Sequence, residues 1–383
     1  MKYVVIIKYI LGIETSCDDT SIGYISFDQS VVKHYTYNQL VHVEFKGVVP
    51  ALAAREHLSN IQSVMHRVLE DITLKDIVAV AVTVGPGLIA SLMIGVNYGK
   101  MLAHVLGVDF IPIHHLEGHM FSAYMRAPVV HYPYLSLLVS GGHTQYILAN
   151  KFMDYEIIGR SIDDALGECF DKVGVMLGLE YPAGAKIEQL AKLGRSDKYD
   201  LPLPLINKKD SCDMSFSGLK TAVMRLVNSV SVDAFDGIDD KSASSVGVSS
   251  DALSASLLNK NISSTSSSSI LNDQIKYDIA ASFQNCICKV LLEKTNIALS
   301  LVKERGIDLQ NFIVVGGVSA NQDISIVLSK LVRSKGVTYT SPDLLYCMDN
   351  GSMIARAGLE YYNNSILLSQ NNAIARWRID HLK

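Results

Sequence analysis

An apolar run, a short polar turn and a second apolar run occur twice in this chain, and that duplication limits the folds open to it more than any other feature. Tyr9-Ile10-Leu11-Gly12-Ile13 leads through Glu14 to Ser21 into Ile22-Gly23-Tyr24-Ile25-Ser26. Far downstream, Tyr134 to Val139 leads through Ser140-Gly141-Gly142-His143-Thr144-Gln145 into Tyr146 to Ala149. Each reads as a β-hairpin. The first turn is acidic and rich in hydroxyls. The second holds adjacent glycines, whose backbone N–H groups can approach a ligand with no Cβ in the way. Both suit a phosphate, the first through a metal ion or water.

Other segments fill an alternating pattern. Leu52 to Leu69 has helical periodicity, with Leu58, Ile61, Met65 and Leu69 on one side. Ile77 to Val84 reads as a buried strand ending in Gly85-Pro86-Gly87, and a helix follows from about Leu88 to Leu106, in which Gly95 and Gly99 permit close packing. Asp109 to Ile113 is a further strand. A helix is expected over Asp163 to Leu177, carrying Asp164, Glu168 and Asp171, then a turn over Tyr181 to Lys186. Phe312 to Val315 is a strand that runs into Gly316-Gly317-Val318-Ser319-Ala320-Asn321, a strand–glycine pair–helix order that cradles nucleotides. A last helix begins near Ser352. Residues 229–272 are serine-rich and without usable periodicity, and read as a flexible insertion.

At 383 residues the chain exceeds the usual size of one core, so two domains are expected. Hydrophobic residues at 49% supply ample core. A formal charge of −4 argues against a grip on nucleic acid by bulk electrostatics but leaves room for a local basic patch or a basic partner. The six cysteines include no C-x-x-C pair, which argues against a disulfide framework and for a reducing, cytoplasmic setting. The apolar start from Val4 to Ile13 is interrupted by Lys8 and is too short to span a bilayer, so no membrane association is expected. The eight residues before Tyr9 read as an extension or the product of an upstream start codon.

His115 and His119, in Ile113-His114-His115-Leu116-Glu117-Gly118-His119, lie four residues apart and share one face of a helix. That spacing lets both bind one metal ion, although such pairs also occur on solvated faces. Asp349, in Cys347-Met348-Asp349-Asn350-Gly351, has two readings, helix cap or metal ligand.

Taken together, the hairpins and the glycine-pair loop resemble the α/β actin-like ATPase architecture of sugar kinases and heat-shock chaperones, in which two similar α/β domains close on a nucleotide cleft. More specifically, the motifs resemble the TsaD family, tRNA N6-adenosine threonylcarbamoyltransferases formerly classed as O-sialoglycoprotein endopeptidases or glycoproteases. The matching runs are Gly12 to Thr20, Gly85-Pro86-Gly87-Leu88, His114 to His119, Val139 to Thr144, Phe170-Asp171-Lys172, Ser215 to Thr221, Gly316 to Asn321 and Asp349-Asn350-Gly351. The resemblance spans Gly12 to about Leu359 apart from the serine-rich segment. Residues 1–130 with 350–383 would form the first domain, and 131–349 the second.

The resemblance implies that His115, His119 and Asp349 hold one divalent metal ion, iron(II) ahead of zinc(II). It also implies that Leu138, Val139, Ser140, Gly141, Gly142, Asp171, Gly184 and Asn321 contact the substrate or nucleotide. The implied reaction moves a threonylcarbamoyl group from threonylcarbamoyl-AMP to the N6 amine of adenosine 37 in tRNAs reading codons that begin with adenine. Partners would be tRNA and TsaB-like and TsaE-like proteins. No residue announces itself as a general base. Ala51, Ala183 and Gln322 depart from the family pattern, replacing a Glu, a Gly and a basic residue, and none is an implied ligand. The alternatives are a small-molecule kinase of the same fold, a zinc peptidase and a non-catalytic scaffold. The peptidase motif places Glu directly after the first His, whereas Glu117 falls two residues after His115, on a different face.

Overall fold

The computed structural model describes residues 7–125, 129–236, 271–366 and 368–382, without side chains for 231–236. The repeated hairpins open two sheets of the same topology. In the first, β1 (Tyr9–Glu14), β2 (Asp19–Ser26) and β3 (Val32–Asn38) form an antiparallel meander. β4 (Ile77–Gly85) pairs in parallel with β1, and β5 (Asp109–His114) in parallel with β4, giving the order β3-β2-β1-β4-β5. In the second, β6 (Tyr134–Val139), β7 (Thr144–Lys151) and β8 (Asp154–Arg160) form the meander. β9 (Asn311–Val315) then pairs in parallel with β6, and β10 (Thr338–Thr340) with β9. The order β8-β7-β6-β9-β10 repeats the first strand for strand. This is the expected actin-like architecture. The third strands of both meanders were not expected, because β3 and β8 mix exposed and half-buried positions and show no clean alternation.

Helices α1 (His42–Phe45) and α2 (Pro50–Leu69) follow β3. The buried face of α2 is Ala53, His57, Ile61, Val64, Met65 and Val68. Leu58, expected on that face, is 66% exposed, because the core stripe turns about one position away from it. α3 (Ile89–Leu106) is apolar and long enough to cross a membrane by composition, yet here it packs on β4 and α2. Its glycines work as expected: a Cβ on Gly95 would strike Thr15, and one on Gly99 would strike Val82. The His pair lies on α4 (His115–Ser122).

In the second half, α5 (Leu166–Met176) starts later than expected. Asp163 and Asp164 lie ahead of it because their carboxylates serve the next helix but one. Asp163 accepts from the Phe216 and Ser217 amides and from the Ser215 and Ser217 hydroxyls, at the start of α7 (Ser217–Asp236). Asp164 pairs with Lys220 at 2.6 Å. Between them in sequence lies α6 (Gly184–Ala191). α7 carries into the first residues of the expected insertion, and 237–270 fall outside the described residues. α8 (Asp273–Glu304) is buried around most of its girth, so no single apolar stripe marks it in the sequence. α9 (Gln322–Ser334) and α10 (Gly351–Asn363) are the last α-helices among the described residues. The six cysteines are unpaired.

α10 packs against β1, β2 and β4 of the first sheet, although some 240 residues separate it from β5. Three glycines set the approach. A Cβ on Gly12 would strike the Gly351 carbonyl and the Ala355 amide, one on Gly23 the Ser352 amide, and one on Gly351 the Gly23 amide. Gly12 and Gly23 are cross-strand partners, so they form one bare patch on the sheet. The Ser21 hydroxyl then accepts from the Gly351 amide at 2.9 Å. Because the obstruction is backbone, it cannot yield as a side chain would. Gly12→Ala is therefore expected to cost about 1–3 kcal/mol, the scale of overpacking a tight contact. An unchanged urea midpoint would show that α10 does not depend on this contact.

Candidate metal centre and nucleotide cleft

The C-terminal ends of β1, β4 and β5 converge on one buried carboxylate. Glu14 closes β1 and is fully buried. Its Oε1 accepts the Ser16 amide, and its Oε2 accepts the Thr83 hydroxyl from β4 at 2.6 Å. The same Oε2 lies 3.1 Å from His115 Nδ1, just past the end of β5. That bond fixes the ring so that Nδ1 faces the protein and Nε2 faces the cleft, the arrangement in which a carboxylate orients a metal-binding imidazole.

One turn along α4, His119 points the same way, its ring centroid 4.7 Å from that of His115. Asp349 meets both. Its Oδ1 lies 3.1 Å from His119 Nε2 and 3.7 Å from His115 Nε2. One donor atom from each residue falls within 4.8 Å of the others. The two readings of Asp349 resolve in the geometry, since Asn350, not Asp349, caps α10 by accepting from the Met353 amide at 2.9 Å. Asp349 is thereby free to face the histidines.

The chemistry of this donor set fits a cation. His119 is fully buried, and neither ring nitrogen has an aligned hydrogen-bond partner among the described residues. Burial pulls the His115 imidazole down, but the charges of Glu14 and Asp349 and the Glu14 hydrogen bond outweigh it and lift the pKa to about 9. Burial pushes Asp349 up, but His115 and His119 outweigh it and hold the carboxyl well below its ordinary range. The site thus favours positive charge strongly enough to retain it in a buried setting.

Glu117, the residue a peptidase reading would need, faces away. Its carboxylate accepts the Tyr155 hydroxyl from β8 and the Tyr361 hydroxyl from α10, each at 2.7 Å. Burial lifts it to about 7 against those two bonds. It braces α4 between the halves of the molecule and has no access to a metal-bound water.

The glycine turns gather at the active end of the second sheet. Leu138 and Val139 are fully buried in β6. Ser140 closes the turn, its amide donating to the His143 carbonyl and its hydroxyl accepting the His143 amide. A Cβ on Gly141 or Gly142 would stand in open space, so packing does not require these glycines. Gly316, after β9, has φ +93 and lies against the Val139 carbonyl, which places the two glycine turns side by side. Gly167, at the start of α5, abuts Ser140 and Gly141.

The other residues expected at the site are more engaged. Asp171 accepts the Ala183 amide at 2.8 Å, and so caps α6 beside Gly184. Its carboxyl is raised chiefly by burial, with a contribution from the charge of Asp18 on the first hairpin turn. Asp19 is lifted to about 7 by burial and by the charges of Asp349 and Asp18. Asn321 caps α9, and its carboxamide exchanges two bonds with Gln284, leaving one amide hydrogen for a ligand. Ala183, a departure from the family pattern, packs its methyl against Gly174.

Three contributors escaped the sequence. Glu14 lies in a matching run that gives it no role, Thr83 is one Thr in an apolar strand, and His143 reads only as part of its turn. His143 is held to about 4 by burial, with the charges of His115 and His119 adding to the effect, so it stays neutral next to the centre. For Glu14 a signal existed: a carboxylate directly after an apolar strand must find buried partners.

The comparisons agree in direction. The profile of the TsaD family, tRNA N6-adenosine threonylcarbamoyltransferase, matches residues 30–356. A tRNA N6-adenosine threonylcarbamoyltransferase of Rickettsia bellii is 40% identical over 380 residues, covering 98% of this chain and 100% of the relative. That of Rickettsia akari is 39% identical over 383 residues, covering 97% and 99%. Among solved structures, full-length HypF in its phosphate- and nucleotide-bound form superposes with a TM-score of 0.53 at 12% identity. It covers 93% of this chain but only 46% of HypF, and at that identity it speaks for the fold alone.

Glu14→Ala is expected to weaken metal binding by about 10–100-fold, the usual cost of losing the carboxylate behind a ligating histidine. Competitive chelation followed by metal analysis reads this directly. Unchanged affinity would mean that Glu14 does not orient His115.

Proposed function

This chain belongs to the TsaD family of tRNA N6-adenosine threonylcarbamoyltransferases, and from that membership we propose how its cleft carries out the transfer. The enzyme joins a threonylcarbamoyl group to the N6 amine of adenosine in tRNA. The acceptor is adenosine 37 of tRNAs that read codons beginning with adenine, and the donor is threonylcarbamoyl-AMP, a mixed anhydride. The N6 nitrogen forms a bond to the carbamoyl carbon, the bond from that carbon to the phosphate oxygen breaks, AMP departs, and the amine gives up one proton. The convergence of His115, His119 and Asp349 beside the paired glycine turns is the observation that carries this reading.

The side-by-side turns of Ser140 to Gly142 and Gly316 to Asn321 receive the AMP portion. Leu138 and Val139 lend backbone, the open faces of Gly141 and Gly142 leave amides clear for phosphate oxygens, and Asn321 offers its remaining amide hydrogen. Asp171 and Gly184 form the opposite wall, where α6 begins. His115, His119 and Asp349 hold a divalent metal, iron(II) ahead of zinc(II), which when bound supplies Lewis-acid polarisation of the donor's oxygens. The N6 amine is a weak nucleophile because its lone pair is shared with the ring. The chain's main contribution is therefore to fix donor and acceptor in register within a preorganised field. The protein works in the cytoplasm with TsaB-like and TsaE-like partners. Family membership disfavours the kinase reading, and the bracing role of Glu117 disfavours the peptidase.

Purified chain, reconstituted with its partners, threonylcarbamoyl-AMP and unmodified tRNA, is expected to yield modified adenosine on nucleoside analysis. Chelation should abolish product and added iron(II) or zinc(II) should restore it. His115→Ala should lower the rate by about 10²–10³-fold or more, the scale of losing a charge-stabilising group. Full activity in a metal-free sample of that variant would sink the proposal.

A further inference from the structure

The last described segment of the chain, 372–382, is a strap across the active end of the molecule. The Ile374 amide donates to the Val84 carbonyl at 2.7 Å, and the Ala375 carbonyl accepts the Gly87 amide at 3.2 Å. Val84 directly follows Thr83, which holds Glu14. The Trp377 carbonyl then lies 3.1 Å from Nε2 of His114, the residue before the first proposed ligand, and the two rings sit 4.8 Å apart. Ile379 and Leu382 enter a core cluster with Leu116 and Met120 of α4 and with Tyr134 and Ile147 of the second sheet. The strap therefore runs from the end of β4, past the metal helix, to the second half.

Its outer side carries exposed arginines. Arg376 and Arg378 flank Trp377, and Arg378 lines one surface depression together with Arg160, at the end of β8. Arg160 is the register partner of Gln145, and the next residue, Ser161, donates its amide to the Thr144 carbonyl, so Arg160 stands beside the second glycine turn. Two carboxylates share this rim, and both are engaged: Asp213 accepts the Arg160 amide, and Asp380 pairs with Arg378. Among the described residues, no carboxylate pairs with the guanidinium of Arg160 or of Arg376. Elsewhere the cleft is acidic, with Asp18, Asp19, Glu14 and Asp349 in mutual reach.

We propose that Arg160, Arg376 and Arg378 form a rim that receives the phosphate backbone of the tRNA anticodon loop beside the metal cleft. The inference rests on the transferase reading, which requires an RNA loop to reach this end of the molecule. In a chain of net charge −4, two guanidinium groups without a carboxylate partner among the described residues, Arg160 and Arg376, beside a third held by Asp380, are the complement such a polyanion needs. Their forked geometry suits phosphate oxygens.

The test is a salt titration of binding between the full, metal-loaded chain and a labelled, unmodified anticodon stem-loop RNA. The Arg160→Ala/Arg376→Ala double variant is expected to bind about tenfold or more weakly. Its log–log salt slope should fall by about 1.4, the loss of two single-strand phosphate contacts at ~0.7 each. The corresponding Lys double variant should recover most of the slope. In the modification assay the KM for tRNA should rise, while the KM for threonylcarbamoyl-AMP and the bound metal stay as in wild type, which also reports that the variant is folded. Arg333→Ala, at the far end of α9, should change none of these. Unchanged RNA affinity and slope in the Ala variant overturn the proposal. So does a defect that appears only with partner proteins present, which would make the rim a protein dock. If wild type binds through this rim yet forms no modified adenosine, the transferase reading fails and the rim stands.

Discussion

The distance between α10 and the first sheet governs the rest of the molecule. Gly12, Gly23 and Gly351 bring helix backbone onto strand backbone with no side chain between them, and the Ser21 hydroxyl ties the start of the helix to β2. Asp349 stands two residues before that start, so its position is set by a contact it does not make. On the other side, Gly118 lets Ile354 of α10 press against α4, which carries both histidines. Four bare backbone positions thus decide whether three side chains from segments far apart in the chain meet.

Those glycines explain which parts of the structure the sequence discloses. The duplicated hairpins are readable because β1, β2, β6 and β7 are almost wholly buried and each holds a short, mainly apolar run. β3 and β8 lie at sheet edges, where half-exposed residues carry no such run. α8 was illegible for the opposite reason, burial on nearly every side. The start of α5 was misplaced because Asp163 looks like a local cap and in fact caps α7, some fifty residues later. Local pattern identifies elements, but the partner of a polar side chain belongs to the tertiary fold.

At the centre the same division holds. His115 and His119 are expected from their spacing and Asp349 from the family resemblance, and the structure brings the three within reach of each other. Glu14 was not assigned, although it is the group that orients His115. Nor did the sequence say that Asn350 would take the capping role and leave Asp349 free. Adjacent Asp and Asn are each competent caps. Only the docking of α10 chooses between them.

The two halves share a topology but divide the chemistry. The first sheet supplies carboxylates and the His-bearing helix, a set that attracts cations. The second supplies glycine turns that present bare backbone, with open space at Gly141 and Gly142. An anionic donor next to clustered carboxylates is repelled unless a cation or fixed dipoles stand between them, and every added phosphate raises that cost. An RNA acceptor multiplies the difficulty, since its charge is borne along the whole loop. Bulk positive charge would solve this only by attracting nucleic acid everywhere. A negative chain with a few guanidinium groups confined to the strap and the adjoining end of β8 holds the loop where the adenosine is wanted, and the strap's bonds to Val84, Gly87 and His114 tie that location to the centre itself.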